Sequence, residues 1–160
     1  MKGIAAAVAA GLVLGVVSRL IDSAAWAPGW LGYVFSPWLA AAWLAGLFSA
    51  STRDGALGGL ALLLATVVVY LASAGASSLP GAVLYGLAML AGPIFGAAGP
   101  TWRDRGRLSA VSGALVGVAV IGEGLALQLV VHSTPERLLL AGESLVGLGL
   151  TAVLVRRIGA

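Results

Sequence analysis

Six long apolar runs, separated by short polar breaks, leave this chain very few ways to fold. They cover Gly3–Ile21, Val34–Ser51, Gly55–Ser73, Pro80–Pro100, Leu108–Val131 and Arg137–Val155. A helix needs roughly 20 residues to cross about 30 Å of hydrocarbon, and each run is near that length. The second is the shortest and recruits Tyr33 and Trp38 as interfacial anchors. The runs are continuously apolar rather than alternating, which argues against a barrel of strands. In lipid the backbone must satisfy its own hydrogen bonds, so the runs are expected to be helices. The expected fold is all-α: one polytopic transmembrane domain over residues 1–160, a bundle of six transmembrane helices.

Charge supports a lipid solvent and then orients the chain. Only 9% of the 160 residues are charged and 60% are hydrophobic, whereas a soluble domain carries about 25% charge. The net charge of +3 comes from nine Lys and Arg against six Asp and Glu. The basic residues sit in short loops and nothing resembles a nucleic-acid module. With the N-terminus in the cytoplasm, Lys2, Arg53, Arg103, Arg105, Arg107, Arg156 and Arg157 fall inside. Only Arg19 and Arg137 fall outside. That split of the nine follows the positive-inside rule and requires an even number of spans. The expectation is a bacterial inner-membrane protein with both termini cytoplasmic. Met1-Lys2 and the apolar run after it look like a signal peptide, with Ala25-Trp26-Ala27 as a cleavage site. Pro28 would follow the cut and the run is long enough to span, so it is read as a retained first helix.

The apolar runs contain a few polar residues that lipid should not tolerate alone. Glu123 lies in Ile121-Gly122-Glu123-Gly124-Leu125, about 12 Å from the outer end of its run, and Glu143 lies roughly 9 Å from the outer end of the next. Gln128 and Arg19 are nearer the same surface, and His132 reads as a loop residue. All of these sit in the outer half, whereas an ion path would place ionisable groups on both sides of the midplane. Arg19 has three readings: it pairs with Glu123, pairs with Glu143, or snorkels outward. The first outer loop carries Trp26, Trp30 and Tyr33 and leads to Trp38; these aromatics form either an interfacial belt or the cover of a cup. Aromatic faces beside carboxylates suit a cationic or aromatic-amine ligand. Gly122 and Gly124 would admit it to the helix backbone.

Small residues suggest how the helices pack. Ala5/Ala9, Ala6/Ala10, Gly11/Gly15, Gly92/Gly96 and Gly113/Gly117 are spaced to let backbones approach closely. They serve either internal packing or, on the first helix, docking of another membrane protein. Pro93 and Pro100 are expected to kink or end the fourth helix. Leu44-Ala45-Gly46 before Arg53-Asp54, and Leu90-Ala91-Gly92 before Arg103-Asp104, hint at two related hairpins. No cysteine is present, which excludes disulfides and thiolate sites. No HExxH, GxSxG or Walker lysine occurs, so no catalytic residue, cofactor or metal site is assigned.

The stretch from Leu90 to Arg103, with Ser36-Pro37-Trp38 before it and Glu123 and Glu143 after it, resembles a family of small, mainly actinobacterial membrane proteins of unknown function. That resemblance implies no activity. The architecture is also similar to the substrate-binding S subunits of energy-coupling-factor (ECF) vitamin transporters. This second resemblance implies a docking face for a transmembrane coupling subunit at Ala5, Ala6, Ala9 and Ala10. It also implies a ligand site gated by the Trp26–Trp38 loop. The leading expectation is a small-solute binding or uptake protein with an outward pocket at Glu123, Glu143, Arg19, Trp26, Trp30, Tyr33, Trp38 and Gln128. The alternative is a structural or assembly protein that binds a membrane partner through its small-residue faces. An enzyme acting on membrane lipids is third.

Overall fold

A computed structural model describes residues 2–27, 34–74, 79–105 and 108–156. Six helices follow one another: α1 (Lys2–Asp22), α2 (Ser36–Leu47), α3 (Thr52–Ala74), α4 (Leu79–Arg103), α5 (Ser109–Val130) and α6 (Thr134–Arg156). Among the described residues there is no strand. Five helices are long and apolar enough to cross a membrane; α2 is the exception. It has 12 residues, about 18 Å of helix, so the second apolar run is helical over only part of its length. The expected hairpin echo therefore pairs helices of very unequal length.

Close contacts fix the direction of each helix. Gly11 packs on Leu62 and Gly15 on Thr66, and Tyr70 reaches Asp22, so α1 and α3 run parallel. The segment between them, containing α2, must return along the bundle. Gly55 meets Gly96, and Leu71 meets Gly81, so α4 is antiparallel to α3. Trp102 meets Gly113, and Gly117 and Gly124 meet Thr151 and Ser144, so α5 and α6 alternate in turn. The N-terminal end of α1 and the C-terminal end of α6 thus share one end of the bundle.

The tightest packing is where α2, α3 and α4 cross. Pro100 has no N–H to offer the carbonyl of Gly96, four residues earlier. That oxygen lies where a Cβ on Gly46 of α2 or Gly55 of α3 would stand. Only glycine leaves room for backbones this close, and the approach allows Cα–H···O contacts. Both Pro93 and Pro100 lie inside α4, so neither ends the helix. Thr66 adds a hydrogen bond from its hydroxyl to the Gly11 carbonyl, 3.1 Å away. The small pairs Gly11/Gly15, Gly92/Gly96 and Gly113/Gly117 are all spent on such contacts inside the chain.

The core is built around Trp38, Trp43, Leu62, Leu63, Val67 and Phe95. The rings of Trp43 and Trp102 pack against each other at a tilt, with centroids 5.2 Å apart. Their indole N–H groups donate to the carbonyls of Ser112 at 3.2 Å and Leu154 at 3.1 Å, tying α2 and α4 to α5 and α6. Helix α6 opens on Ser133-Thr134-Pro135-Glu136, where the Ser133 hydroxyl donates to the Glu136 carboxylate. His132 is exposed in the connection before it, as expected of a loop residue.

Candidate ligand cavity between α2 and α5

The local sequence explains why α2 begins where it does. Pro37 stands in its first turn, where a missing N–H costs nothing. Phe35 precedes the helix without a side-chain cap of its own. The cap comes from α5 instead. Both oxygens of Glu123 are engaged: one accepts the backbone N–H of Phe35, the other that of Ser36 at 2.9 Å. A carboxylate at a helix N-terminus also meets the positive end of the helix dipole. From α6, Glu143 accepts the hydroxyl of Ser36 at 3.4 Å, and the two carboxyl groups interact electrostatically with each other. Glu123 and Glu143 therefore converge on a single point, the start of α2.

Beside this point lies a cavity of about 470 Å³. Phe35, Ser36, Trp38 and Leu39 form its α2 wall, and Leu63 and Val67 its α3 wall. Leu84, Leu87, Ala88 and Ala91 contribute from α4, and Ala119, Glu123, Ala126 and Leu127 from α5. Its size falls in the ordinary range for small-molecule sites, and its lining is apolar apart from Glu123 and Ser36. A carboxylate offers about four acceptor positions, and α2 occupies two of Glu123's. Among the described residues no cation stands within ion-pair distance of Glu123 or Glu143.

Arg19 answers to neither glutamate. Its guanidinium pairs with Asp22 one turn away at 3.2 Å. Asp22 also accepts the Tyr70 hydroxyl at 2.9 Å. The short span to Asp22 keeps the charge pair at the end of α1, where α3 can close on it. Trp38 lines the cavity. Its N–H donates to Ser18 at 2.8 Å, and its ring packs edge-on against Tyr70 at 5.5 Å. Trp26 is 73% exposed and away from the cavity wall. Gln128 is half-buried and also off that wall. Trp30 and Tyr33 lie outside the described residues. Gly122 faces open space, while Gly124 is taken up by Ser144 of α6. Ser36, and the apolar lining residues other than Trp38, were not assigned to the site from the sequence. Ser36-Pro37 carried a readable helix-start signal, whereas Leu63 or Ala88 looks like any other residue of an apolar run.

Near the other end of the bundle, Ala5, Ala6, Ala9 and Ala10 are exposed. Ala6 and Ala10 border a second groove with Phe48, Ser49 and Gly58.

Five long apolar helices and a short one pinned by a part-buried carboxylate define a multi-pass helical membrane protein. The chain belongs to the Family of unknown function (DUF6518), which it matches over residues 1–160. No curated protein and no solved structure matches it.

Proposed function

We propose that the protein binds a small solute in the α2–α5 cavity. The solute has an apolar body and a cationic or aromatic-amine group directed at Glu123. The observation that carries this reading is a 470 Å³ apolar cavity with one carboxylate in its wall and, among the described residues, no cation within ion-pair distance of it. Uptake by an S-component-like mechanism, with a coupling subunit seated on Ala5, Ala6, Ala9 and Ala10, extends the same reading. We further propose six crossings of the inner membrane with both termini cytoplasmic. The parallel course of α1 and α3 supports a return crossing through α2, and the Lys and Arg distribution supports the orientation. The cavity then lies in the outer half of the bundle.

Mass spectrometry of small molecules that co-purify with the protein tests the function. A ligand retained by the wild type should be lost from Ala88→Phe, which fills the cavity, and reduced in Glu123→Gln. Equal retention by all three forms would place the ligand elsewhere and end the proposal. The exposed alanine face and its groove favour a second reading, a non-transporting assembly protein. Co-purification of one membrane partner that survives both Glu123→Gln and Glu143→Gln, with no bound small molecule, would favour it.

A further inference from the structure

The rim of the cavity points to how it is reached. On α4, Val83, Leu87, Leu90 and Ile94 form one exposed stripe, the face a membrane helix turns to lipid. Leu87 belongs both to that stripe, at 47% exposure, and to the cavity wall. On α5, Ala126 is likewise exposed and likewise part of the wall. The two helices close on each other at Trp102 and Gly113, near their connection. Further along, the cavity takes up the space between them. Among the described residues the wall therefore meets the exposed surface on the flank of the bundle, between α4 and α5.

Resting on the reading of this cavity as a ligand site, we infer that its occupant enters sideways from the bilayer between α4 and α5. The occupant is a single-chain amphiphile with a protonated amine head. The chemistry follows from the wall. An apolar tail replaces lipid contacts with Leu84, Leu87, Ala88 and Leu127 at little cost. The head gains an ionic partner in Glu123, which among the described residues has no cation within ion-pair distance, in a place where an uncompensated carboxylate is expensive. A strongly hydrated solute would have to lose its water on the way through the flank. A membrane-dissolved amphiphile already has its tail out of water, so only its head has to be desolvated, and Glu123 offsets that cost.

The chain has no cysteine, so a covalent strap across the mouth is straightforward to build. The test uses Val83→Cys/Leu129→Cys, exposed positions on α4 and α5 outside the cavity wall, in phosphatidylcholine nanodiscs, with empty discs as background. One sample is bridged by a bis-maleimide and the other capped at both thiols with N-ethylmaleimide. Radiolabelled dodecylamine reports the amphiphile and benzylamine the water-soluble amine. Bridging should slow dodecylamine binding about tenfold or more relative to capping, and Glu123→Gln should weaken it about tenfold. Equal rates in bridged and capped protein would overturn lateral entry. Capped protein that binds benzylamine but not dodecylamine would overturn the amphiphile while leaving the cavity a ligand site. If neither amine binds, or if binding persists in Ala88→Phe, the cavity reading itself fails and this inference fails with it. Leu90→Cys/Leu125→Cys, also exposed and outside the wall, provides a second strap with the same criteria if the first pair does not fold.

Discussion

At the scale of single residues, the two ends of α2 explain two charges that otherwise look misplaced. A helix leaves N–H groups at its start and carbonyls at its end without partners. A 12-residue helix cannot carry both ends to water across a bilayer. Glu123 serves the N-terminal end. At the other end Arg103 donates to the carbonyls of Leu47 and Ser49 at 3.0 and 2.9 Å. Both charges also oppose the helix dipole with the favourable sign. Glu123→Ala strips the partners from two N–H groups and should cost about 2 kcal/mol or more, while Glu123→Gln keeps one acceptor oxygen and should cost roughly half as much. Arg103→Ala should cost about 1 kcal/mol. Thermal unfolding in detergent gives the order directly; Glu123→Gln unfolding at the wild-type temperature would show that the cap does not hold α2. The sequence exposed Glu123 as an anomaly because one carboxylate in an apolar run is conspicuous. It did not reveal the partner, since a backbone N–H has no sequence signature. Arg19 was the obvious cation, but Asp22 three residues on is a nearer and cheaper match.

At the scale of helices, glycine decides which surfaces meet. The spacing of small residues was legible, and Gly92/Gly96 does carry a close crossing. Which helices cross was not legible, because every run in the chain is rich in such pairs. Proline adds information that spacing lacks: Pro100 leaves the Gly96 carbonyl without its helical donor, and that oxygen faces Gly46 and Gly55. Gly96→Leu should therefore drive α2 and α3 away from α4 and abolish the folded monodisperse species on size-exclusion chromatography. Gly149→Leu faces open space and should elute as wild type. A Gly96→Leu protein of normal stability would mean that the three helices do not meet as described. The length of α2 was also hidden. Apolarity ran unbroken from Val34 to Leu47, and a hydrophobic run does not mark where its helix stops. Only Ser36-Pro37 marked the start.

At the scale of the molecule, the central question is whether a short helix completes a crossing. Apolar runs and charge asymmetry made the membrane class and the helical fold legible from sequence, because lipid imposes both on any chain. The cavity was not legible, since its walls come from four helices whose mutual placement only the packing decides. The parallel course of α1 and α3 is the packing result with the widest consequence. It puts Ser23, just after α1, at the opposite end of the bundle from Ser51, just before α3, with α2 as the helix between. His132, between α5 and α6, shares the end of Ser23. Single cysteines at these three exposed positions, in a chain with none of its own, make the arrangement measurable with an impermeant maleimide on intact cells. Ser23→Cys and His132→Cys should label from outside, and Ser51→Cys only after the membrane is opened. Reversal of all three would invert the proposed orientation but keep the crossing. Labelling of Ser23→Cys and Ser51→Cys from one side would mean that α1 and α3 do not cross in parallel and that the segment containing α2 does not complete a crossing. In that case Glu123 and Arg103 could not cap opposite ends of a crossing helix.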